Sequence, residues 1–244
     1  MAVAQGSEVK GKTPNLCEPQ PTVTIYISKN GSGASEEVTR EPLSGQASAN
    51  STLATQSTPG PQPPKFIIHK NKICSHSSFF SAAFNSNFIE GMNQEMTLDV
   101  DLKAFGIIAN WMYTQDIVAS RGELPDFCTL ARVWILADRF LIPKLQNQAM
   151  KDLLNISLQG KPTIKELLHC CHIADQHAAG ESRLTLFAAS VLAWIPDGFL
   201  DGFLPLIPRS VFVKAWQAMK KEQKRPVPIN LLPLWVEVKE DENK

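Results

Sequence analysis

Between residues 66 and 84 the chain reads FIIHKNKICSHSSFFSAAF, and its hydrophobic period changes halfway. Phe66 to Ile68 is a short β-branched run that ends on His69 and Lys70. From Ile73 on, the stripe positions Ile73, Ser77, Phe80 and Phe84 advance by four, three and four, with Phe79 and Ala83 filling the same side. That is the period of an amphipathic helix, predicted here as one helix that ends near Gly91. A strand therefore hands over to a helix, and the fold has to pack a sheet against helices.

Only two other segments have strand character. TVTIYIS, residues 22–28, is β-branched with an aromatic inside, and KNGSG behind it supplies turn residues. EMTLDV, residues 95–100, is short. The remaining periodic segments are helical. Leu102, Phe105, Ile108, Ala109 and Met112 define one face, with Asp99 or Asp101 as a candidate cap. Phe127, Leu130, Val133, Trp134, Ala137 and Phe140 define another, and Pro143 opens the next helix, where proline suits the first turn. Residues 163–177 and 182–195 read as a helix pair, IPDGFLDGFLPLIP stays open, and RSVFVKAWQAMKKEQKR reads as a last helix. The predicted class is α+β, a small three-stranded sheet packed on a helical cluster and followed by extra C-terminal helices.

Composition sorts the remainder. Residues 1–21 are polar and proline-bearing, a flexible leader. Residues 31–64 are mainly Ser, Thr, Ala, Gln, Gly and Pro, and so read as a disordered insert between the two halves of a hairpin. Long insertions of this kind are tolerated because closure entropy grows only logarithmically with length. Lys plus Arg equals Asp plus Glu, 24 against 24, which gives no electrostatic footprint for nucleic acid or an anionic membrane. No apolar run reaches the ~18 residues of a membrane span. The start lacks a secretory pattern and the five cysteines have no framework spacing, so reduced thiols in cytosol or nucleus are the expectation.

The order of these motifs resembles the BTB (POZ) domain family, in particular the short BTB proteins common in fungi. The residues that carry the resemblance are His69, Lys70, Ile73, Ser77, Phe79 and Phe80, then NFIE, MTLDV, Phe105 with WMYTQDI around Tyr113, and LARVWILADRFLIPKLQNQAM. It implies a BTB/POZ domain over residues 22–156, with residues 157–244 as a helical extension ending in an irregular tail. Two positions depart from the family pattern: Thr22 stands where an acid is usual, and Gln115 where glycine is usual.

The resemblance implies a protein-interaction module, with a cullin or other BTB chains among its partners, and with no cofactor, nucleic acid or membrane. Within it, Phe88, Ile89 and Glu90 resemble the loop by which BTB adaptors dock cullin-type ubiquitin ligases, the apolar residue filling a pocket and the acid steering. A transcription-associated or scaffolding role is the alternative. Monomer, homodimer and heteromer all stay open.

Against these stands an enzyme reading, the least favoured. HCCHIADQH offers His169, Cys170, Cys171, His172 and His177, but on one helix only 169 and 172 face together, short of a four-ligand zinc site. His69 as base for Cys74 or Cys128 lacks a nucleophile elbow or an orienting acid. Arg139, Lys144 and the run KKEQKR (220–225) read as solvated. The tail LLPLWVEV either packs back on the last helices or offers a strand to a partner.

Overall fold

The computed structural model describes residues 19–28, 63–119, 122–177, 182–196 and 198–222. Most of the leader (1–18), nearly all of the insert (29–62) and the tail (223–244) lie outside the described residues.

Three strands form one sheet in the order β2-β1-β3. The central β1 (Thr22–Ile27) alternates Val23, Ile25 and Ile27 inward, all buried, against Thr22, Thr24 and Tyr26 on the other face. This is the period-two pattern of a half-covered sheet. The strand β2 (Lys65–His69) pairs with it antiparallel, Val23 opposite Ile68 and Ile25 opposite Phe66. The strand β3 (Glu95–Leu98) pairs on the other side, parallel, with Ile27 opposite Leu98. The hairpin expected from the sequence is thus present, and the third strand makes the sheet mixed.

Where one helix was expected over 73–84, there are two. The first, α1 (Lys70–His76), stops at Ser77, whose backbone is extended at φ −134° and ψ 116°. The second, α2 (Ser78–Phe84), starts there, with the Ser77 hydroxyl accepting from the Phe80 N–H at 3.1 Å. The same hydroxyl donates to the Phe140 carbonyl at 2.6 Å. A serine whose oxygen serves as an N-cap competes with continued helix, and here the cap wins. Gly91 does not end the helix either. It lies inside a short turn of helix, α3 (Ile89–Asn93).

The remaining elements are α4 (Leu102–Thr114), α5 (Phe127–Arg139), α6 (Pro143–Leu158), α7 (Ile164–His177), α8 (Arg183–Ala193), a 3-10 turn at Leu204–Leu206 and α9 (Arg209–Glu222). Asp101 caps α4, accepting from the Ala104 N–H at 2.8 Å, and Pro143 opens α6 as expected. Leu102, assigned to the buried face of α4 by its period, stays exposed at the first turn. The helix α5 lies at the centre, in contact with α4, α6 and α7, and is buried at nearly every position. Beyond it α7, α8 and α9 pack on one another.

One core runs through sheet and helices. Ile68, Phe84, Phe105 and Leu136, from four different elements, all belong to it. At its middle, Phe80 is fully buried with ring centroids 5.1 Å from Phe79, 4.8 Å from Phe140 and 6.1 Å from Phe84. Edge-to-face and offset rings at such spacing add to area burial.

The end of α4 accounts for one departure from the family pattern. Gln115 is its C-cap and adopts a left-handed backbone, φ 61° and ψ 16°, with its N–H on the Trp111 carbonyl at 2.8 Å. Glycine takes that conformation without the ~1–2 kcal/mol that a Cβ costs. Gln115 recovers part of the cost through a side-chain bond to the same carbonyl at 3.0 Å. Gln115→Gly is expected to stabilise the protein by ~0.5–1 kcal/mol, a rise in Tm of about 1–4 °C by calorimetry. An unchanged or lower Tm refutes strain at this cap.

Candidate functional site

His69 closes β2 and is held by Tyr113 from α4. The Tyr113 hydroxyl accepts the His69 backbone N–H at 3.0 Å and lies 2.9 Å from His69 Nδ1. With its lone pairs facing the N–H, the hydroxyl can direct its own proton to the ring nitrogen. Lys70, the next residue, sends its ammonium to the Phe84 carbonyl at 2.8 Å. A cation at the C-terminal carbonyl of α2 complements the helix dipole and ends the helix there. The six family-motif positions at 69–80 and Tyr113 therefore serve packing and capping: Ile73, Ser77 and Phe80 are buried, and Phe79 is half-buried on Phe80 and Phe140.

What these clamps hold in place is the segment 85–94. The Phe84 carbonyl also accepts from Gln94 Nε2 at 3.1 Å, and the same amide bonds the Gly91 carbonyl. Ser86 donates to the Ala83 carbonyl at 2.8 Å and accepts the Phe88 N–H at 3.2 Å. Gly91 is required by close approach: a Cβ there would stand 2.0 Å from the Ser86 carbonyl oxygen and 2.9 Å from its carbon, both backbone atoms that cannot step aside. The glycine lets α3 fold down on the end of α2. Tied at both ends, the loop is pre-ordered.

This rigid loop carries apolar side chains outward. Phe88 is 74% exposed, Ile89 63% and Met92 70%. Phe88 and Met92 are four apart and joined by the Met92 N–H to Phe88 carbonyl bond at 3.0 Å, and Ile89 and Met92 are three apart, so the three share one side of the turn. Glu90 lies in the first turn of α3, half-buried beside them. Phe88, Ile89 and Glu90, the loop residues singled out in the sequence, lie together on this turn. The structure adds Met92, which the sequence reading missed although its i+3 and i+4 spacing to Ile89 and Phe88 was the available signal.

The thiol and imidazole candidates do not converge on one site: Cys170 neighbours Cys171 and Cys128, while Cys74 and His69 lie elsewhere with other partners. Cys74 points to the Phe80 carbonyl (3.8 Å) and Cys128 to the Glu166 carbonyl (3.5 Å), while His69 is paired with Tyr113. Burial pushes the Cys74 and Cys170 thiols up, that of Cys128 to about 11 and that of Cys171 to about 12. Thiols so shifted are poor nucleophiles at neutral pH. His169 faces Arg132 at 3.3 Å, and His76 stands edge-on to Trp111. Among the described residues no group of three or more His, Cys, Asp or Glu is placed to hold a metal ion, and no helix is long and apolar enough to cross a membrane.

One open groove of about 1050 Å³ runs between β2, α4 and the segment before α5, lined by Phe66, Leu102, Ile107, Leu124 and Asp126 among others. Neither His69 nor a cysteine lines it. The Asp126 carboxylate is occupied in capping α5, accepting from the Thr129 N–H at 2.8 Å and its hydroxyl at 2.6 Å.

The described residues thus form a mixed three-stranded sheet under a helical cluster, with a clamped and outward-facing apolar loop. Residues 62–157 match the family model of the BTB/POZ domain, and the chain carries a BTB domain, a module of protein–protein interaction. The match begins at the end of the insert, so β1 lies outside it although β1 is the strand that joins β2 to β3. None of the curated proteins matches the chain.

Proposed function

We propose that this chain is a BTB-type adaptor that docks a cullin-type ubiquitin ligase through the α3 loop and presents other proteins to it. The observation that carries the reading is the exposed trio Phe88, Ile89 and Met92 on a loop fixed by Lys70, Gln94 and Gly91. An apolar side chain raised on a rigid support makes a binding anchor, because its pocket on the partner gains contact area without ordering cost. Glu90 in the first turn of α3 adds a charge whose main effect is on approach and register. The resemblance of Phe88-Ile89-Glu90 to the docking loop of such adaptors supports this choice of partner.

The test is capture of a cullin amino-terminal domain by the purified protein, compared with the double variant Phe88→Ala, Glu90→Ala. Loss of an anchor residue is worth ~2 kcal/mol or more, roughly thirtyfold in Kd. Phe88 is mostly in solvent, so its removal leaves the melting temperature within about 1–2 °C, the change of an ordinary surface substitution. Equal capture by both proteins ends the cullin reading.

A further inference from the structure

The helix α9 carries two apolar stripes, and among the described residues only one has a partner. Val211 and Ala215 are buried in the core. Arg209, Phe212, Val213, Trp216 and Lys220 follow one another at three, one, three and four residues, which sets them along a single adjoining side. Phe212, Val213 and Trp216 are 40%, 43% and 51% exposed, and the Lys220 ammonium sits 5.2 Å over the Trp216 ring. Contiguous apolar surface of this kind is ordinarily covered.

We propose that the segment directly after α9 is the cover: residues 229–236, INLLPLWV, run back along the helix and bury Phe212, Val213 and Trp216. The chemistry matches, since eight of the twelve residues 227–238 are Val, Ile, Leu or Trp. The other long segment outside the described residues, 29–62, carries only Val38, Leu43 and Leu53 as large aliphatics.

The reach matches as well. The seven residues from Glu222 to Ile229 span up to ~23–25 Å when extended. Trp216 lies only ~9 Å behind Glu222 along the helix axis. From Ile229 beside Lys220, an extended run at ~3.1 Å per residue brings Trp235 about 19 Å back, to the Arg209 end of the stripe. The acids Glu237, Glu240, Asp241 and Glu242 then arrive where Arg209 is exposed.

Pro226, Pro228 and Pro233 decide the mode of docking. They supply no N–H and would interrupt a strand ladder, so the segment binds through side chains rather than by extending a sheet.

Hydroxyl-radical footprinting of Trp216 tests this in the full chain, in the full chain with Leu231→Ser, Leu234→Ser and Trp235→Ser, and in a chain ending at Glu222. The expected result is labelling of Trp216 about tenfold slower in the unaltered chain, equivalent to ~1.4 kcal/mol of docking. A synthetic peptide of residues 226–244 restores that protection to the shortened chain. Circular dichroism confirms that both altered proteins keep their helices. Equal labelling in all three overturns the proposal, and so does protection that rises with protein concentration, which assigns the stripe to a second copy instead. The cullin-capture test reads a different surface, so either can fail alone.

Discussion

Replacing Phe80 by alanine is expected to lower the unfolding free energy by ~3–5 kcal/mol, the cost of truncating a fully packed aromatic. The ring is shut off from solvent and touches three aromatics, Phe79 and Phe84 on its own helix and Phe140 at the end of α5. Phe140 in turn meets Phe105 of α4, edge-on at 6.1 Å, and Phe105 meets Phe66 of β2 at 5.0 Å. The cavity left by the substitution would therefore open at the joint between the first helices, the central helix and the sheet. At ~2–4 °C per kcal/mol for a chain of this size, Tm should fall by roughly 10 °C. A shift of under about 3 °C would mean that the ring is not packed as described.

Ser77→Ala should cost nearly as much for so small a change, ~2–4 kcal/mol. The hydroxyl caps α2, worth ~0.5–2 kcal/mol, and donates to the buried Phe140 carbonyl, whose loss of a partner costs ~1–3 kcal/mol. Ser77→Thr keeps the oxygen and should recover more than half of the loss in a urea titration. If alanine and threonine behave alike, the effect comes from volume and not from the two hydrogen bonds.

Ser77 also shows why part of this fold could be read from the sequence and part could not. The change of period at residue 70 announced a strand followed by helices, because side-chain period is a local property of each element. The break at Ser77 was hidden because it costs no phase: Ile73, Ser77, Phe80 and Phe84 keep helical steps across two helices. The cap becomes visible only when Phe140, 63 residues later, supplies a carbonyl for the hydroxyl. Gly91 misled for a related reason. Its role is set by the nearness of the Ser86 backbone, a distance absent from local pattern, so a glycine inside a turn of helix looked like a helix end.

The candidate site divides in the same way. Phe88, Ile89 and Glu90 were legible through the resemblance, and Met92 through spacing that went unused. The fixing of the loop was not legible, since Lys70 and Gln94 reach the Phe84 carbonyl from 14 and 10 residues away in opposite directions. For Gln115 the family pattern flagged the position, and only the left-handed backbone supplied the reason.

The strand order has a consequence for how the protein is made. Because β1 sits between β2 and β3, neither neighbour pairs with the other, and there is no sheet until β1 enters. Yet β1 leaves the ribosome first, and Leu98 of β3 is added 71 residues after Ile27. At ~5–20 residues per second, Val23, Ile25 and Ile27 wait roughly 4–14 s before their last partner exists. For that interval β1 keeps at least one unpaired edge, since β2 can join it once Lys65–His69 is made and β3 only later, and it is then that a holding chaperone has most to protect.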